Sequence, residues 1–285
     1  MTEETLEKLF PFKRNYIELE KCRIHYVDEG EGRPLVLFHA CPMWSFAYRE
    51  VIREFSATHR VIAFDLPGFG LSDKPSRFDY TLNGYINITE SFLAALNLTD
   101  MTFVIHGWGG TAAMGYAVRH PKHVSGLVIL NSMAFSDYSI PFRLRFCRIP
   151  WLGAKLVMDW HVFLQGNLTK YKKEVAEAYK YPLQDWNARL AIYQFVKDIP
   201  MVPEADSALV MLEIEASLWM FRMKPVTLIW GMRDWLYTGR VLKAWCRYLP
   251  NAEVRTLPKA GRYLQEDAPD ELIKIMREFL ERNNL

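Results

Sequence analysis

The chain reads as an α/β protein: a mainly parallel sheet covered by helices on both faces, with a helical segment inserted late in the sequence. Three observations predict this. Short apolar runs alternate with helical stretches through the first hundred residues and beyond, the pattern of strands buried on both faces. One of these runs breaks at Val104-Ile105-His106-Gly107-Trp108-Gly109-Gly110 into a glycine-flanked turn and then a helix, the strand-turn-helix layout of a nucleophile elbow. Between about Phe135 and Leu218 strand-like runs stop and aromatic-rich helical stretches take over. With 285 residues, half of them hydrophobic, the chain is long enough for one large domain plus such an insertion.

The elements follow in order. Arg23 to Asp28 reads as a strand and Pro34 to His39 as a buried one, followed by a helix from Ser45 to Phe55. Arg60 to Asp65 is the next strand, leading into the loop Leu66-Pro67-Gly68-Phe69-Gly70-Leu71-Ser72. A helix from Thr81 to Leu96 precedes the strand Met101 to His106, the elbow, the helix Trp108 to Arg119 and the strand Val124 to Leu130. Within the insertion, Trp151 to Leu164 and Lys170 to Tyr179 read as helices. The strand pattern resumes at Pro225 to Trp230, passes through a helix from Gly239 to Tyr248 to the strand Glu253 to Leu257, and ends in an amphipathic helix from Pro269 to Arg282. The division expected is a core of residues 1–134 and 219–285 and a helical cap of residues 135–218.

Composition narrows the function classes. The 35 basic and 33 acidic residues leave a formal charge of +2, too small a field to attract nucleic acid. Lys170, Lys172 and Lys173 form the one basic cluster and read as a solvated helix face. Cys22, Cys41, Cys147 and Cys246 are scattered without a C-x-x-C pair or metal-ligand spacing, so reduced thiols, no metal and no organic cofactor are expected. The acidic start of the sequence lacks a signal-like apolar stretch, and no run approaches the roughly 20 apolar residues of a membrane span. The expectation is a cytoplasmic protein with no membrane partner.

The elbow carries the functional question. Its geometry lifts one side chain above the end of the sheet, and the residue at that position is Gly107, which has none. No histidine occurs after His161, so the late part of the chain offers no imidazole base in any register.

Taken together the motifs resemble the α/β-hydrolase superfamily, in the branch of haloalkane dehalogenases, epoxide hydrolases and β-lactone decarboxylases. The resemblance rests on His25-Tyr26-Val27-Asp28-Glu29-Gly30, Trp44-Ser45-Phe46, Asp65 to Pro75, Ala117-Val118-Arg119-His120-Pro121 and Gln265-Glu266-Asp267-Ala268-Pro269, in this order along nearly the whole chain. It implies an eight-stranded, mostly parallel sheet with an inserted helical cap. It also implies a reaction in which an elbow Asp attacks the substrate carbon, a late His activates water against the resulting ester, and an acid orients the His.

Matched residue by residue, the nucleophile position is Gly107 and the His position is Arg262, while the acid is retained as Asp234. The loop that reads His-Gly-Asn-Pro in the family is His39-Ala40-Cys41-Pro42 here. The Asn that holds a halide or carbonyl oxygen together with Trp108 is therefore Cys41, whose thiol is a weak donor. Glycine forms no covalent intermediate, and a guanidinium is no base near neutrality. The resemblance places Trp108, Trp235, Tyr237, Trp160 and Phe163 around an apolar pocket with Ala40 and Cys41 at its mouth, and gives Trp186, Arg189 and Phe195 a packing role in the cap.

Several readings stand side by side. Asp234 and Arg262 either form an ion pair that fills the space of the lost His, or present a guanidinium that serves as an anion site. His39 and His106 read as scaffolding, and Lys259 as an exposed loop lysine. For the whole protein, one reading is a scaffold without the family reaction that binds a small hydrophobic molecule with an anionic or carbonyl head. The other is an enzyme with a replaced mechanism, using Cys41 as nucleophile or a water positioned by Asp234. Substitutions confined to Ala40, Cys41, Gly107 and Arg262, in an otherwise preserved frame, are also the pattern that deliberate redesign would leave.

Overall fold

In a computed structural model, eight strands form one sheet: β1 (Asn15–Leu19), β2 (Cys22–Glu29), β3 (Pro34–Phe38), β4 (Arg60–Phe64), β5 (Met101–His106), β6 (Val124–Ser132), β7 (Val226–Gly231) and β8 (Glu253–Leu257). The structure describes residues 1–19, 22–136, 142–149, 151–159, 170–184, 186–200, 202 and 205–285. The strand order is β1-β2-β4-β3-β5-β6-β7-β8. β1 and β2, and β2 and β4, pair antiparallel, and every later pair is parallel. The observed sheet is the eight-stranded, mostly parallel one that the sequence predicts.

Burial explains the pattern. β5 and β7 are buried at every position, as central parallel strands covered on both faces must be. The edge strands β1 and β8 alternate between half-buried and exposed. β1 escapes notice in the sequence because Asn15-Tyr16-Ile17-Glu18-Leu19 gives only this weak alternation. The helix expected from Ser45 begins as a 3-10 turn, Ser45–Tyr48, before becoming α2 (Arg49–Phe55), which follows α1 (Glu3–Leu9).

Next come α3 (Leu82–Ala95) and α4 (Gly107–Arg119). Thr81 caps α3, its hydroxyl accepting from the N–H of Gly84 at 3.3 Å, which satisfies one of the free donors of a helix start. α3 and α4 pack on each other and on the helix Asp206–Ser217, while α2 packs on the last helix, Pro269–Asn283. Between β6 and β7 the described residues form helices at Phe142–Phe146, Lys173–Lys180, Leu190–Asp198 and Asp206–Ser217. The later part of the predicted helix Trp151 to Leu164 lies outside the described residues. No helix among the described residues is long and apolar enough to cross a membrane.

Polar contacts fasten the inserted helices to the core. Tyr179 Oη donates to Glu266 Oε1 at 2.6 Å, and Glu266 is held in turn by a two-pronged contact from the guanidinium of Arg49. Tyr171 and Lys170 both reach Asp267 Oδ1, so Lys170, although exposed, has a role the solvated-face reading did not give it. Asp198 accepts from the Leu82 N–H at 2.8 Å and from Ser207 Oγ at 2.6 Å, joining the end of Leu190–Asp198 to the start of α3.

Candidate active site

The carboxyl ends of the parallel strands converge on one region, where open α/β sheets bind their ligands. β3 leads to Ala40 and Cys41, β5 to Gly107, β6 ends around Asn131, β7 leads to Asp234 and Tyr237, and β8 leads to Arg262.

Gly107 is the first residue of α4 and has φ +55°, a left-handed conformation that glycine adopts without steric penalty. A Cβ built there would lie 2.5 Å from Ala40 Cβ and 3.8 Å from Tyr237 Cε2. Position 107 therefore faces the two loops that follow β3 and β7. The turn is anchored from below by Ser132, whose hydroxyl donates to the Gly107 carbonyl at 2.7 Å. A Cβ at Gly109 would run into the carbonyl of His39, so glycine there lets α4 lie close against the end of β3.

Asp234 is buried and well held. Asn131 Nδ2 donates to its Oδ2 at 3.1 Å, and the Leu236 N–H donates to its Oδ1 at 2.8 Å. Burial pushes its carboxyl above the ordinary value, while the charge of Arg262 and these donors pull it back.

Arg262 is buried as well. Its Nη2 donates to the Cys41 carbonyl at 2.7 Å, its Nε has no partner among the described residues, and its guanidinium carbon lies 5.9 Å from the centre of the Tyr237 ring. Asp234 acts on it electrostatically, yet among the described residues no carboxylate comes within 4.0 Å of its nitrogens. The expected Asp234–Arg262 ion pair is thus corrected: Asn131 and the backbone occupy the carboxylate, and the Cys41 carbonyl occupies the guanidinium.

Cys41 lies beside Arg262 but is itself buried, and burial pushes its thiol far up, with the Arg262 charge only partly opposing the shift. The thiol form is a poor nucleophile. His39 and His106 are scaffolding. His39 Nδ1 donates to the Ala40 carbonyl at 3.1 Å, and its Nε2 accepts from the Leu66 N–H at 3.0 Å. Gln265 donates to His106 Nδ1 at 3.2 Å. Burial, followed by the charge of Arg262, holds His106 down to about 3, so it stays neutral.

The remaining expected pocket residues divide. Trp108 is buried, its ring 5.3 Å from that of Phe195 on the inserted segment, and its indole N–H has no partner among the described residues. Tyr237 is buried against Arg262, and Trp235 is half-buried at the edge of the core. Trp160 and Phe163 lie outside the described residues. Trp186 is 54% exposed, which corrects the packing role expected of it, whereas Phe195 is buried. Asn131, which no motif marks in the sequence, also accepts from the Gly231 N–H at 2.7 Å and donates to the Gly231 carbonyl at 3.0 Å. An Asn at the end of an otherwise apolar strand was the available signal. Gln265, likewise missed, was visible only as part of a motif.

A family profile described as alpha/beta hydrolase fold matches residues 33–269. A cis-3-alkyl-4-alkyloxetan-2-one decarboxylase of Shewanella oneidensis is 37% identical, over 96% of this chain and 90% of its own length. Haloalkane dehalogenase 2 of Mycobacterium tuberculosis is 30% identical over 93% of this chain and 94% of its own. The crystal structure of the haloalkane dehalogenase DatA of Agrobacterium tumefaciens superposes with a TM-score of 0.85 at 24% identity, covering 95% of this chain and 96% of that one.

Proposed function

The chain belongs to the α/β-hydrolase fold family, and from that membership we propose that it is a haloalkane dehalogenase-like scaffold in which the covalent-aspartate reaction does not run. It retains an apolar site for a small hydrophobic molecule with an anionic or carbonyl head. The observation that carries this reading is Gly107 at the elbow, with the Ala40 methyl 2.5 Å from where a side chain would start. With no atom to attack carbon, no ester forms. Arg262 supplies no base for a second step, because a guanidinium stays protonated.

Incubation with haloalkanes, epoxides and β-lactones tests it, followed by product analysis and intact-mass spectrometry. Neither turnover nor an adduct is expected. Turnover that survives Asp234→Asn would point to a pathway independent of the retained acid, and any robust turnover would end the reading.

A second reading has one observation in its favour. Burial raises the Asp234 carboxyl toward the range in which carboxylates act as bases, which suits a positioned water. Turnover abolished by Asp234→Asn is what this reading requires. The version with Cys41 as nucleophile is the weaker one, because its thiol is buried and held protonated.

A further inference from the structure

Resting on the reading of a disarmed elbow, we infer that Arg262 is the receptor for a ligand carboxylate, and that the molecule bound is a monocarboxylate on an apolar chain. Arg262 is 4% exposed and permanently charged, yet its guanidinium makes a single hydrogen bond among the described residues, Nη2 to the Cys41 carbonyl, and its Nε–H has none. A buried cation left without a direct counter-anion is costly, and a charge-assisted hydrogen bond to an anion offsets that cost.

The location is fixed by shared neighbours. Arg262 touches the Ala40–Cys41 turn and lies over Tyr237, and these are the two places toward which position 107 points. The start of α4, a helix of 13 residues, is at the same place and turns its positive end outward. A second buried donor without a partner among the described residues, the indole N–H of Trp108, belongs to the first turn of that helix.

Charge and surroundings select the class of ligand. One guanidinium balances one negative charge, which favours a monoanion over a phosphate. Trp108, Phe195 and the Tyr237 ring supply apolar contact for a chain rather than for a second polar group. A His at position 262 would be neutral or weakly basic, whereas an Arg delivers a fixed positive fork suited to a carboxylate.

Isothermal titration of the full chain with octanoate, octan-1-ol and octyl phosphate tests the assignment, repeated with Arg262→Gln. Octanoate is expected to bind roughly tenfold to a hundredfold tighter than octan-1-ol, the span of a charge-assisted hydrogen bond, and tighter than octyl phosphate. Arg262→Gln should remove that preference, so that octanoate binds no tighter than octan-1-ol. Equal binding of octanoate and octan-1-ol, no binding of octanoate, or a preference that survives Arg262→Gln would each overturn the inference. If the variant does not fold, the wild-type comparison decides alone. Turnover of haloalkanes, epoxides or β-lactones would instead end the reading of a disarmed elbow, and the two failures are read in separate experiments.

Discussion

The Ala40 methyl and the backbone of Gly107 are complementary: a Cβ at position 107 would sit 2.5 Å from Ala40 Cβ, closer than two carbon atoms can approach. A side chain at 107 and a methyl at 40 therefore exclude each other unless the loop after β3 moves. This makes the two positions a coupled pair.

Gly107→Asp alone is expected to destabilise the protein by about 1–3 kcal/mol, the usual cost of forcing extra atoms into a packed site. Ala40→Gly combined with Gly107→Asp should recover much of that loss. Urea denaturation of the two singles and the double gives the coupling directly. A double mutant whose loss equals the sum of the single losses would show that the loop accommodates the clash.

Chemistry should appear in steps. The double variant is expected to form an ester with a haloalkane that accumulates as a mass adduct, because no base hydrolyses it. Adding Arg262→His should convert the adduct into turnover. Absence of any adduct in the triple variant would mean that the pocket itself no longer presents a substrate carbon to position 107.

His106 predicts a pH dependence of stability. Its folded value is held down to about 3 against 6.5 for the free side chain, so the folded state keeps it neutral while the unfolded state takes up a proton. Its contribution is fully present above pH 6.5 and is lost as pH falls below that, at about 1.4 kcal/mol per pH unit until the folded value is reached. Urea midpoints at pH 7 and pH 5 should differ less in His106→Gln than in the parent. An unchanged pH slope would show that His106 is not the group responsible.

Cys41 should stay unlabelled by a thiol reagent in the native protein and react only on unfolding, since it is buried and its thiol is pushed up. The half-buried Cys246 serves as the internal comparison. Rapid native labelling of Cys41, located by peptide mapping, would contradict this and revive it as a nucleophile.

Asn131→Ala is expected to cost about 2–3 kcal/mol, because it strands the buried Gly231 N–H and removes a donor from Asp234. The Asp234 carboxyl, losing one source of its stabilisation, should shift further upward. Thermal melts and carboxyl NMR titration measure the two effects.

The strands that cross the middle of the sheet were legible because burial on both faces leaves an unbroken apolar run, as in Val104-Ile105-His106 and Leu228-Ile229-Trp230. β1, an edge strand with apolar residues on one side only, was not, whereas β8, the edge strand with the same alternation, was. At the site, the family resemblance brought Gly107, Asp234 and Arg262 to one region, but the sequence did not reveal how Asp234 and Arg262 are satisfied. The Asp234–Arg262 pairing failed for a physical reason: Asn131 and the Cys41 carbonyl offer better-placed partners, and hydrogen bonding depends on geometry that spacing along a chain does not encode. The exclusion between Ala40 and Gly107 was equally hidden, because it is a matter of half an ångström between loops 67 residues apart.

The five loop tips that meet at the elbow come from positions as distant as Ala40 and Arg262, and the sheet interleaves β3 between β4 and β5. Such wide separations mean that the site exists only once nearly the whole chain has closed, which is slow because many long loops must be ordered first. A ligand held there stabilises only the finished fold, so its occupancy doubles as a report of complete folding. The same layout keeps the tips outside the strand register. Each can be rewritten while the sheet is left alone, so the chemistry of the site and the stability of the frame can vary independently.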